Sequence, residues 1–310
     1  MSCAVGSRER KNMIGLHFTG WETEPWTDGP THVRLWDNGV SWRAIHTAPD
    51  TYTWDRLDAM VDFYTAKGVK LTYVACATPQ WLAMDPHAPH FAPWLGEGSN
   101  SLPYDVDEWN KFIWNLATRY RGRIHYYEIW NEPQLADFMY PYDTANCNRL
   151  ATMTQRAKNT IDGIDSAAMV ISAAVLPRQS SGGMEKATKY LTALKDKGWP
   201  VDAYACHIYP EVGYWAPRWR DYLKAVKDKL AAMHAPNSSR IWVTETTYGL
   251  LGDPIPEDKG NDVVDQTYQH AKDLGVQQIY WYAWDRPDLG GLQIKEGSTA
   301  WAAIRGNGNG

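Results

Sequence analysis

The chain has 310 residues, somewhat above the ~250 typical of one (β/α)8 barrel and below what two full domains generally need. With 44% hydrophobic and 22% charged residues it can bury a large core, which excludes a disordered chain. A formal net charge of −5 without any basic block excludes the electrostatic footprint of a nucleic-acid binder and disfavours strongly anionic polymers as partners.

Residues 1–12 read as an N-terminal extension without the apolar core of a signal peptide, and no stretch approaches the ~18 apolar residues of a membrane span. The chain is thus expected to be secreted or periplasmic with its targeting segment removed, or else cytoplasmic. From there, apolar runs of strand length alternate with segments of helical period. The strands fall at 13–18, 32–36, 70–75, 124–130, 169–173, 201–207, 241–244 and 278–282, and the helices between them at 54–67, 105–120, 144–164, 184–197, 218–233 and 261–274. In the first of these helices Leu57, Met60, Val61 and Tyr64 share one face, and Gly68 stops it before the next strand. Parallel strands joined by crossover helices make an α/β protein, here a (β/α)8 TIM barrel forming a single domain over 13–305, with 306–310 (GNGNG) as a flexible tail.

The long irregular segments, 19–30, 78–103 and 248–260, each follow the C-terminal end of a strand, the end that carries the active site of such barrels. They hold Trp21, Trp26, Trp81, Trp94 and Tyr248, expected to form the banks of an open groove. The chain has 17 Trp and 18 Tyr against 5 Phe, so most of its rings carry a polar handle and suit a wet cleft where sugar faces stack. Cys3, Cys76, Cys147 and Cys206 lack metal-ligand spacing; Cys76 and Cys206 lie in apolar runs and read as buried thiols, while a Cys3–Cys147 bond stays open. No cofactor or metal is expected, and the chain is expected to be a monomer.

The chemistry concentrates at two strand ends. In YYEIWNEP (126–133) an aromatic strand runs into Asn131, Glu132 and Pro133, and proline ends the ladder. A carboxyl there is poorly solvated, which favours the protonated form that a general acid needs. In IWVTE (241–245) a second buried strand delivers Glu245 at its tip. Two carboxylates on one barrel face are what acid-assisted glycoside cleavage requires. Asp285, beyond the last strand, is the rival carboxylate, and Thr244 and Thr246 could instead make Glu245 a capping residue.

WNEP after the fourth strand and a glutamate after the seventh resemble glycoside hydrolase clan A over 14–284. The segments HVRLWD, YTWDRLDAMVDFYTAKGVKLTYVACATPQWL and YYEIWNEP are most similar to glycoside hydrolase family 39 and its exopolysaccharide-hydrolase relatives, many of which carry an accessory β-domain that 310 residues are expected to be too few to hold. The resemblance implies that Glu132 is the acid/base, Glu245 the nucleophile and Asn131 the amide that meets the sugar 2-hydroxyl. It implies that Arg34 lies beneath the nucleophile, that His207 and Tyr209 of CHIYP stand near it, and that Trp281 and Trp284 of IYWYAWD floor the sugar subsite. Arg34 could also be a structural partner of Glu128, and His207 a barrel-mouth histidine with no direct role. His17, Trp36 and Trp81 face the same end by position, as packing or as sugar contacts. The expected enzyme is a retaining, endo-acting hydrolase of a polysaccharide or oligosaccharide, its carboxyl groups roughly 5 to 5.5 Å apart. The alternatives are an exo-acting β-xylosidase-like enzyme and a non-catalytic glycan-binding barrel.

Overall fold

The structure, a computed structural model, describes residues 13–18, 30–89, 94–178, 182–209, 215–247, 257–284, 294–295 and 298–305. Its eight barrel strands are β1 (Ile14–Phe18), β2 (His32–Leu35), β3 (Lys70–Ala75), β4 (Ile124–Ile129), β5 (Met169–Ile171), β6 (Tyr204–Ile208), β7 (Ile241–Thr246) and β8 (Gln278–Trp284). They pair in the order β5-β4-β3-β2-β1-β8-β7-β6, all in parallel. Parallel bridges Ile171–Ala203 and Val175–Cys206 join the two edges, so the sheet closes on itself. The helices are α1 (Trp42–Ile45), α2 (Asp55–Ala66), α3 (Val106–Arg119), α4 (Thr144–Ile164), α5 (Gly183–Asp196), α6 (Trp215–Ala232), α7 (Glu257–Leu274) and α8 (Thr299–Ile304). None of the described helices is long and apolar enough to cross a membrane.

Local sequence explains the helices. α2 buries Leu57, Met60, Val61 and Tyr64, the predicted face, and Gly68 follows it at φ 69°, the left-handed position that glycine fills without strain. In α3 the Asp105 side chain caps the N-terminus by accepting from the Asp107 amide, and Trp109, Phe112, Ile113, Leu116 and Ala117 face the core. Three features differ from the sequence reading: α1, the antiparallel hairpin His46–Ala48 with Thr51–Tyr52, and α8. All are too short for periodicity to reveal.

The barrel interior changes character along its axis. One layer is apolar and aromatic, with Tyr280 and Trp242 packed against Ile171, Ala203, Ala205 and Tyr126. Tyr280 fits because Gly15 lies beside it: a Cβ at Gly15 would stand 2.4 Å from the Tyr280 ring and 2.8 Å from the Ile279 carbonyl oxygen. Two residues beyond Tyr126 and Trp242 come Glu128 and Thr244, joined by Arg34 of β2, all three fully buried. Strand alternation therefore stacks a charged layer on an apolar one, toward the C-terminal ends. Cys76, Cys147 and Cys206 are buried free thiols; Cys3 and residues 1–12 and 306–310 lie outside the described residues.

Candidate active site

The charged layer is one connected network centred on Arg34. Its Nε donates to Glu128 Oε2 at 2.8 Å, and Nη2 to Glu128 Oε1 at 3.2 Å and to Asn131 Oδ1 at 2.8 Å. Nη1 reaches Glu245 Oε1 at 2.5 Å. Burial opposes the guanidinium charge, but the Glu128 and Glu245 carboxylates outweigh it and hold Arg34 above its ordinary pKa. Burial likewise opposes ionisation of Glu128, and Arg34 overcomes this, keeping its carboxyl below the ordinary value. Arg34 is thus both partner to Glu128 and cation beside Glu245. Because it takes Asn131 Oδ1, the amide NH2 is the end left to donate.

Glu245 is held at both oxygens, Oε1 by Arg34 and Oε2 by the Tyr209 hydroxyl. Both contacts fix the orientation of the carboxylate. Glu132 is held by His207, whose Nδ1 lies 2.7 Å from Glu132 Oε1, while its Nε2 lies 3.0 Å from Thr244 Oγ1. The Thr244 hydroxyl itself donates to Glu128 Oε1 at 3.1 Å. Its proton being committed, Thr244 can only accept from the ring, so His207 carries a proton on Nε2, and Nδ1 is the atom that shares a proton with Glu132.

Burial would lower the His207 pKa, but Glu245 and Glu132 raise it from 6.5 to about 9. A value raised on folding means that the associated stability is complete below pH 6.5 and is lost as the pH rises through about 9. Urea unfolding followed from pH 6 to 10 should show such a loss, on the order of a few kcal/mol, that His207→Gln lacks. Equal pH slopes in the two proteins would contradict the assignment.

The end of β4 is built under strain. Trp130 (φ 78°) and Glu132 (φ 33°) both occupy the left-handed region, which costs on the order of 1–3 kcal/mol at a residue with a Cβ. Trp130 is pinned by its amide to the Ala75 carbonyl at 3.0 Å and by its indole N–H to the Phe138 carbonyl at 2.8 Å. The twist brings Glu132, 7% exposed, toward Glu245, 5% exposed. Oxygen atoms of the two carboxylates and a ring nitrogen of His207 lie within 4.8 Å of one another. Among the described residues this is the one such group that could also gather around an ion. Arg34 and Tyr209 already occupy both Glu245 oxygens, however, and a cation there would face the guanidinium.

The remaining expectations divide. His17 is buried, its ring 4.6 Å edge-on from Tyr282, and Trp36 lines a cavity together with Tyr282. Trp281 and Trp284 do not floor a subsite. Trp281 is fully buried and donates to the Tyr268 hydroxyl of α7 at 3.1 Å, and Trp284 packs between Phe18 at 5.8 Å and Trp301 of α8 at 5.0 Å. Both point outward to the helix layer, whereas Tyr282, half-buried between them, faces the barrel mouth. Alternation could have shown this for Trp281, since Tyr280 fills the interior and Tyr282 shares its parity; Trp284 shares that parity too and is turned out only past a bulge in β8, where two residues of β1 face three. Trp81 is turned aside as well, its indole N–H on the His46 carbonyl at 3.1 Å. Trp21, Trp26, Tyr248 and Asp285 lie outside the described residues.

Solved structures with similar architecture are hydrolases of sugars. A GH39 enzyme from Xanthomonas axonopodis pv. citri matches with a TM-score of 0.72 and 20% identity, over 98% of this chain and 67% of that one. A monomeric β-xylosidase from Caulobacter crescentus CB15 matches at 0.70 and 18% identity, over 97% and 69% of the two chains. A xylanase from Paenibacillus barcinonensis matches at 0.66 and 16% identity, over 98% of each. The fold is theirs. At these identities the likeness is one of fold, and no family model or curated protein sequence matches the chain. In barrels of this kind active sites lie at the C-terminal ends of the strands, where Glu132 and Glu245 stand.

Proposed function

We propose that the protein is a retaining O-glycoside hydrolase of glycoside hydrolase clan A, with family 39 the most similar, cleaving a neutral polysaccharide or oligosaccharide by double displacement. The observation that carries this is the pair of carboxylates with oxygens within 4.8 Å, each held by its own donors. Retaining enzymes space their carboxyl groups about 5–5.5 Å apart, and inverting enzymes about 6.5–9.5 Å to admit a water.

Glu245, fixed by Arg34 and Tyr209, attacks the anomeric carbon as the bond to the leaving oxygen breaks. Glu132 gives that oxygen the proton it shares with His207 Nδ1. The sugar is then an ester of Glu245. Water adds to the anomeric carbon while Glu132, now a carboxylate, takes its proton, and the ester bond breaks to restore Glu245. Asn131 offers its NH2 to the 2-hydroxyl. The acidic chain and the xylose-directed names of its structural neighbours favour neutral β-linked sugars as first substrates. A polymer substrate suits a secreted or periplasmic monomer cutting within the chain.

The test is proton NMR of the first sugar released from a panel of aryl β-glycosides. The β-anomer is expected to appear first and the α-anomer only by later mutarotation. Initial release of the α-anomer would overturn retention, and glycan binding without turnover would favour a binding barrel.

A further inference from the structure

Past the C-terminal ends of β2 and β8 lies a cavity of about 390 Å³ lined by Trp36, Asp37, Ser41, Trp94, Leu95 and Tyr282. That size falls within the ~300–1,000 Å³ of small-ligand pockets. Tyr282 is the wall shared with the barrel mouth. Its ring meets His17, which pairs with Arg34 across β1 and β2, and its hydroxyl donates to Asp37 Oδ2 at 2.9 Å. Asp37 adopts φ 61°, a left-handed conformation that sets its carboxylate against Tyr282. Trp94 stands at the lip with 67% of its surface exposed, across from Trp36 at 4%. An indole presented to water over a cavity that holds a second indole and a carboxylate matches the needs of a sugar ring: apolar C–H faces to stack and hydroxyls to donate.

We propose that this cavity binds the sugar preceding the one whose bond is cut, on the side away from the leaving group. It opens along β8 and β2, beyond Tyr282, whereas the proton donor Glu132 rises from β4. The substrate is then a neutral β-linked chain with at least two sugars on the retained side, and Asp37 disfavours a uronic acid there by repulsion. This rests on the glycosidase reading above, and its test separates the two.

The test compares wild type with Trp94→Ala on 4-nitrophenyl β-xyloside and β-xylobioside, β-glucoside and β-cellobioside, and β-mannoside and β-mannobioside. Trp94 is mostly in water, so its loss leaves the core intact. For the sugar turned over fastest, the ratio of kcat/KM for the disaccharide to that for the monosaccharide is expected to fall roughly tenfold, the equivalent of about 1.4 kcal/mol. An unchanged ratio overturns the subsite and leaves the hydrolase reading standing. Should no glycoside be cut, calorimetry with xylotetraose, cellotetraose and mannotetraose decides. Binding weakened by Trp94→Ala supports the subsite while the hydrolase reading falls, binding untouched by Trp94→Ala overturns the subsite, and no binding overturns both.

Discussion

Glu245→Gln is expected to lower turnover of every substrate on the order of 10⁴- to 10⁶-fold, because it removes the atom that bonds to the anomeric carbon. Activated leaving groups should not rescue it, since the attack on carbon is lost whatever departs. The side chain keeps its shape, so Arg34 still finds an oxygen and the protein should fold. A second readout separates this from general damage. Glu245 is the first of the carboxylates that raise His207, so the substitution should bring the His207 pKa down from about 9. NMR titration of the ring protons measures that. An inactive variant with an unmoved His207 would mean that the two groups do not face each other as described, and substantial residual activity would mean that Glu245 is not the nucleophile.

Glu132→Ala is expected to behave differently. General acid/base help is worth about 10²- to 10⁴-fold, so hydrolysis of an unactivated oligosaccharide should fall within that range. Formation of the ester from a 2,4-dinitrophenyl glycoside should be nearly spared, because that leaving group needs no proton. Breakdown of the ester, which lacks its base, should then be slow, and added azide should restore turnover by yielding the β-glycosyl azide. The vacated space lies against His207 Nδ1, which suits a small anion. Normal activity on the oligosaccharide, or an α-azide product, would remove Glu132 from the role.

These roles attach to residues that differ in how plainly the sequence displays them. The strands, most helices, Glu132 and Glu245 follow from periodicity and from two strand-end motifs, and the structure places both glutamates at one mouth. Arg34 and Glu128 were legible as a pair because they share the interior face of nearby strands; that Arg34 also grips Glu245 depends on barrel closure, which no local pattern encodes. Thr244 read only as a rival cap, yet it fixes the His207 tautomer through a contact between β6 and β7. Trp281 and Trp284 misled because tryptophan suggests sugar stacking, while alternation turns Trp281 toward the helices and a bulge of β8 against β1 turns Trp284 the same way, leaving Tyr282 at the mouth. The left-handed turns at Trp130 and Glu132 were invisible, since nothing in WNEP shows that tertiary contacts will hold two non-glycine residues at positive φ.

The central claim, a covalent sugar on Glu245, can be read directly by mass spectrometry. A 2,4-dinitrophenyl 2-deoxy-2-fluoro-β-glycoside of the preferred sugar slows both steps but leaves with ease, so the ester should accumulate. The intact protein should gain the mass of one fluoro-sugar, and peptic digestion should place it on the peptide bearing Glu245. A label on Asp285 or on Glu132, or steady retention of configuration with no label on any residue, would contradict the account.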